Sequence, residues 1–169
     1  MRTLQPNFVL GRSAVALLVG LAAAAGADAQ GRFTVSADGA EVTDTSTKLV
    51  WRRCIEGTHW DGKACAGKVM KFRYAEAKRH AAGLSKGGGQ PWSIPTRTEL
   101  ASLVDRTPKK KRPLIDNAAF PQTPALQFWA SRPGTDDNLN AWLVSFANGK
   151  VYGNMGEARF PLRLVRPAP

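Results

Sequence analysis

The chain has 169 residues, and its 24 Lys and Arg against 13 Asp and Glu leave a net charge of +11. That length suits one domain, and beyond the N-terminal region no run approaches the ~20 apolar residues of a membrane-spanning helix. A charge this basic favours an anionic partner, such as acidic polysaccharide, lipid headgroups, nucleic acid or cell-surface polymer, although a purely solubilising role stays open.

Arg2 and Arg12 flank a polar start, residues 14–25 are apolar with one glycine, and Ala27-Asp28-Ala29 is an A-x-A cleavage signal. The pattern predicts a Sec-type signal peptide over residues 1–29 and one exported domain over 30–169, periplasmic, secreted or at the cell surface. No cysteine directly follows the predicted cleavage point, so no lipid attachment is expected. Nucleic acid is not an expected natural partner outside the cytoplasm.

Phe33-Thr34-Val35, Glu41-Val42-Thr43-Asp44 and Lys48 to Arg53 read as three strands of an opening meander, with Leu49 and Trp51 on one face. Cys54 and Cys65 are the two cysteines, and in an exported chain such a pair most simply forms a disulfide. Closing so short a loop stabilises by roughly 2–3 kcal/mol in the chain-entropy model. A metal cluster built from the pair and His59 is the alternative, but it is short of the four ligands of structural zinc. Cys54 to Lys68, rich in Gly and polar side chains, reads as a loop in which Trp60 either packs on the disulfide or offers a stacking platform.

Phe72 to Leu84 reads as a helix, with Tyr74, Ala77, Ala81 and Leu84 on one side and Arg73, Lys78 and Arg79 on the others. Gly83 and the run Gly87-Gly88-Gly89 are expected to stop it. Part of this positive charge complements the helix dipole and needs no ligand. His80 reads as a boundary residue, with no catalytic partner indicated.

Trp92-Ser93-Ile94 is a short apolar strand, Pro95 a stop, and Thr96 with Glu99 has the spacing of a capping box. Leu100, Leu103 and Val104 then continue an apolar helical stripe. Thr107 to Pro113 follows, with Lys109, Lys110, Lys111 and Arg112 adjacent between two prolines. This is an extended basic loop that either meets a polyanion or is simply solvated.

Leu126 to Ser131 and Ala141 to Phe146 read as strands, Asn148-Gly149 as a hairpin turn, and Val151-Tyr152 as the return. Between the first two lies a polar loop whose Asp136, Asp137 and Asn138 offer oxygen ligands for a cation or form a plain hairpin loop. Leu162 to Arg166 alternates as a closing strand, and Trp51, Trp92, Trp129 and Trp142 fall at core positions. Strands, two helices and strands again make an α+β domain.

Taken in order, Val42-Thr43-Asp44, Leu49-Val50-Trp51, Arg53-Cys54, Trp60, Cys65, Trp92 to Thr96, Glu99-Leu100, Phe128 to Ser131, Ala141-Trp142 and Leu162 to Arg166 resemble one bacterial domain. It is the C-terminal domain of the Legionella collagen-like adhesin. The resemblance covers nearly the whole exported chain and implies a C-type-lectin-like fold: two helices, a twisted antiparallel sheet, neighbouring termini and long loops. It also implies adhesion and binding to sulfated glycosaminoglycans. The Glu-Pro-Asn, Gln-Pro-Asp and Trp-Asn-Asp motifs of calcium-dependent lectins are absent, as is a collagen-like Gly-X-Y repeat. Formylglycine-generating enzymes share that fold but need a reactive cysteine, and here both cysteines read as structural.

With no G-x-S-x-G and no His-Glu-x-x-His pattern, the expectation is a non-enzymatic binding module without cofactor or metal. Its candidate contacts to an anionic polysaccharide are Lys109, Lys110, Lys111 and Arg112, with Arg73 and Arg79. The alternative is an assembly component of a bacterial envelope or pilus-type complex, with an envelope protein as partner.

Overall fold

A computed structural model describes Met1 and residues 31–88, 90–107, 112–131, 141–154 and 156–169. The predicted signal peptide, Lys109, Lys110, Lys111 and the acidic loop with Asp136 and Asp137 lie outside the described residues. The rest is a mixed α+β arrangement of two helices and several small antiparallel sheets.

Strands β1 (Phe33–Val35), β2 (Glu41–Asp44), β3 (Leu49–Arg52) and the closing strand β11 (Val165–Pro167) form a four-stranded sheet in the order β1-β2-β3-β11. The first and last strands of the domain therefore share one sheet. Strands β7 (Gln127–Ala130), β8 (Ala141–Ser145) and β9 (Val151–Asn154) form a second sheet. The expected Asn-Gly turn joins β8 to β9, with Gly149 at φ +71°.

Successive side chains of a strand face opposite ways, and here each direction meets its own core. Val42, Trp51 and Val165 of the first sheet join Phe128 and Val144 of the second in one cluster. Val50, Trp129 and Leu143 belong to the other. Leu49 and Trp51 share a face as expected, and Val50 is buried on the opposite one.

Helix α1 (Tyr74–Gly88) covers the second core through Ala77 and Ala81. Gly83 does not stop it: the helix passes through and ends in the glycine run. One exposed helical glycine costs only about 1 kcal/mol relative to Ala, which the packed alanines offset.

Helix α2 (Arg97–Ser102) has Thr96 as N-cap and both bonds of the capping box. The Glu99 amide donates to Thr96 Oγ1 at 3.2 Å, and the Thr96 amide donates to Glu99 Oε2 at 2.7 Å. The segment before it stitches the two sheets together. Ser93 exchanges backbone hydrogen bonds of 2.9 and 3.0 Å with Val165, while the Ser131 and Arg97 amides donate to Pro95 and Ser131 carbonyls at 2.7 and 3.1 Å. The expected strand at 92–94 is reduced to that single bridge.

Two further expectations need correction. The expected loop from Cys54 to Lys68 contains a hairpin, β4 (Thr58–Trp60) with β5 (Cys65–Gly67). Asp61 Oδ1 accepts the Lys63 and Ala64 amides at 2.8 and 2.7 Å and shapes its turn. The closing segment does not alternate in exposure: Leu162, Arg163 and Leu164 are all fully buried, and pairing begins only at Val165. The remaining short strands, β6 (Lys71–Phe72) and β10 (Phe160–Pro161), pair with each other beside β7.

Candidate anion-binding site

The basic segment springs from a base fixed on both sides. After α2, the Asp105 amide donates to the Leu114 carbonyl at 3.1 Å, and the Leu114 amide donates to the Phe146 carbonyl at 2.7 Å. The chain thus leaves and returns at one place on the second sheet. Asp105 Oδ1 accepts the Thr107 amide at 2.9 Å, and Arg106 Nη2 donates to the Gly149 carbonyl at 3.0 Å. Gly149 is demanded here, because a Cβ would sit 2.9 Å from Val104 Cγ1 in an already left-handed backbone. Leu114 and Ile115 are buried anchors, and Arg112 just before them is exposed.

A cleft of about 610 Å³ opens beside this base, lined among others by Arg32, Phe33, Val35, Leu103, Arg106 and Thr107. Its lining mixes these apolar and basic side chains with the acidic Asp105 and Asp116, and Phe33 stands edge-on to the buried Phe120 ring with centroids 5.2 Å apart. Arg32 is held at the rim by two bonds to Asp44, at 3.1 and 2.7 Å, and a third to the Ser102 carbonyl at 2.9 Å. Burial pushes the Asp44 carboxyl up, but the Arg32 guanidinium, the Ser46 hydroxyl and amide and the Thr47 hydroxyl outweigh it and hold the pKa at about 2. The pair is therefore ionised at any ordinary pH, and Arg32 is held in place as its cationic half, its charge balanced by Asp44.

The described residues of the predicted set divide between the two cores. Arg112 belongs to the loop anchored in the first through Ile115. Arg73 and Arg79 are exposed on and before α1, which packs on the second. At the start of α1 the Arg73 backbone amide donates to Glu76 Oε2 at 3.0 Å, capping the helix. That amide, with the Arg159 guanidinium 2.8 Å from the same oxygen, holds the Glu76 carboxyl below its usual range.

Three arrangements escaped the sequence reading. Arg163 is fully buried; its Nη1 donates to the carbonyls of Arg52 and Arg53, its Nη2 to Thr123 Oγ1 at 2.8 Å, and its guanidinium lies 4.8 Å over the Phe120 ring. Burial lowers its pKa to about 9, opposed by the nearby Glu56, so it stays cationic at neutral pH. The alternation of Leu162 to Arg166 had placed this cation outward. His80 is half-buried as a boundary residue should be, yet its Nε2 lies 2.6 Å from Glu56 Oε2. The partners are 24 residues apart, and nothing local in sequence signals the pair. Trp60 is half-buried and pairs in register with Cys65, and it stacks on Arg53, whose guanidinium is 3.8 Å from the ring centroid.

Cys54 and Cys65 form the expected disulfide, with Cα atoms 5.6 Å apart. Such a bond belongs to an oxidising compartment outside the cytoplasm. Among the described residues no three His, Cys, Asp or Glu side chains stand together to hold a metal ion, and no helix is long and apolar enough to cross a membrane.

A family model described as the Lcl C-terminal domain matches residues 40–166. No curated protein and no solved structure is matched by the chain. The matched span begins just before β2 and ends within β11, so it takes in both cores and the base of the basic loop.

Proposed function

The chain belongs to the Lcl C-terminal domain family, and from that premise we propose that it is an exported, non-enzymatic binding module for an anionic or sulfated glycan or surface polymer. What supports the reading is the doubly fixed base at Asp105 and Leu114, the ends of the segment that carries the cationic run 109–112 in sequence, together with the cleft beside that base lined by Arg32 and Arg106. Arg112 grips a sulfate or carboxylate bidentately, and the lysines act as point charges. The fold that suits this role is C-type-lectin-like, a compact scaffold offering long loops.

Because the attraction is electrostatic and solvent-exposed, it weakens as salt shortens the Debye length from ~10 Å at 0.1 M to ~3 Å at 1 M. The test is retention on immobilised heparin along a salt gradient. The protein elutes well after a neutral dextran control resin releases it; equal elution from both resins contradicts the proposal. A second reading, an assembly component of an envelope or pilus-type complex, draws on the edge strand β1 with its exposed Val35 beside the same cleft. An envelope partner captured there survives high salt, whereas the glycan does not.

A further inference from the structure

We propose that a second cleft, lined by residues of β10 and β7, binds one carboxylated sugar residue such as a uronate. It encloses about 370 Å³ and is lined by Lys71, Leu126, Gln127, Ser145, Asn148 and Phe160, together with Arg159. That volume is at the small end for ligand pockets, which run from about 300 Å³ upward, and suits a single ring rather than a polymer.

The walls divide the work as a pyranose requires. Phe160 is braced edge-on against the buried Trp129, with centroids 5.1 Å apart, and with the exposed Leu126 it offers an apolar face for the ring's C–H groups. The polar groups opposite retain bonding capacity. Asn148 Nδ2 donates to the Tyr152 hydroxyl at 2.8 Å and its Oδ1 accepts the Lys150 amide at 3.0 Å. Those bonds fix the carboxamide and leave it one N–H and one lone pair. Ser145 Oγ accepts the Ala147 amide at 3.2 Å and keeps its own proton to donate. The Gln127 carboxamide has no partner among the described residues, and its paired donor and acceptor match two adjacent sugar hydroxyls.

The charge in the cleft selects an acid. Arg159 is neutralised by Glu76 through a two-point contact at 2.8 and 2.9 Å. Lys71 has no acidic partner among the described residues, so the lining carries one uncompensated positive charge. A single carboxylate balances it, whereas a neutral sugar leaves it unused. The proposal does not depend on residues 109–112.

Titration of the ¹⁵N-labelled protein with free D-glucuronate and, separately, with D-glucose tests it. Glucuronate is expected to saturate in the millimolar range and to shift the amides of Lys71, Gln127 and Asn148, with glucose at least fivefold weaker. Lys71→Gln, exposed on a two-residue strand, weakens glucuronate at least fivefold and erases the preference over glucose. Gln127→Ala weakens both sugars alike, and Lys63→Gln on the β4–β5 turn changes neither. Equal response to the two sugars, shifts confined elsewhere, no response, or an unaltered Lys71→Gln titration overturns the assignment. Loss of heparin retention with glucuronate binding intact separates this cleft from the basic loop.

Discussion

Arg163 and Arg112 are both guanidinium groups, yet the fold treats them in opposite ways. The first is fully enclosed, donating to two main-chain carbonyls and a hydroxyl and lying over Phe120. The second is exposed, two residues before the anchored Leu114. A buried cation is costly unless its N–H groups find acceptors; here Nη1 and Nη2 do, while Nε has no partner among the described residues, and the bonds made lock distant segments together. Arg163 accordingly joins the end of β3, the 120–123 turn and the closing segment. An exposed cation contributes little to stability. The charge on this domain is thus of two kinds, and measurements can pull them apart.

The largest effect is expected inside. Arg163→Ala leaves two carbonyls without their donor and opens a void beside Phe120, costing about 3–5 kcal/mol in urea unfolding. A loss within 1 kcal/mol would place Arg163 among the ordinary charges and dissolve the contrast. Replacing Cys54 and Cys65 together with serine costs about 2–3 kcal/mol, since the closed hairpin no longer restricts the unfolded chain. Heparin retention is expected to be unchanged in that variant after refolding.

Acid reaches the rim cation through its partner. Asp44 has its native pKa held at about 2, below the ordinary 3.8, so the native state favours the charged form. Its contribution, about 2 kcal/mol, is complete above pH 4 and is lost as pH falls through 2. Asp44→Asn is expected to flatten the stability profile over that window, and an unchanged profile would show that Arg32 is not held by this pair. Thr96→Ala removes one side of the capping box and costs about 1 kcal/mol by thermal unfolding.

What was legible in sequence divides along similar lines. The capping box, the Asn-Gly turn and strands β1 and β2 are specified by neighbours within a few residues, and local chemistry was enough to find them. The disulfide followed from compartment and count. Arg163 was misplaced because alternation assumes one wet face, while this segment runs where the two cores meet and is covered on both sides. The β4–β5 hairpin was missed because its signal is a side-chain turn at Asp61 rather than an apolar pattern. Glu56 and His80 meet only through tertiary packing, as do Arg53 and Trp60. For the candidate site, the basic run was plain in sequence, but that its base is tied to Phe146 and Gly149 was not. Spacing placed Arg73 and Arg79 on one helix, but it did not reveal that Arg73 lies just before α1 or that α1 covers the other core.

The most direct test neutralises the loop in one variant, Lys109→Gln, Lys110→Gln, Lys111→Gln and Arg112→Gln, and measures its urea midpoint and its heparin elution together. The account predicts a stability within about 0.5 kcal/mol of the parent, as for surface changes generally, with heparin retention reduced to that of the neutral resin. Retention equal to the parent's would contradict it, as would a loss of stability comparable to that of Arg163→Ala.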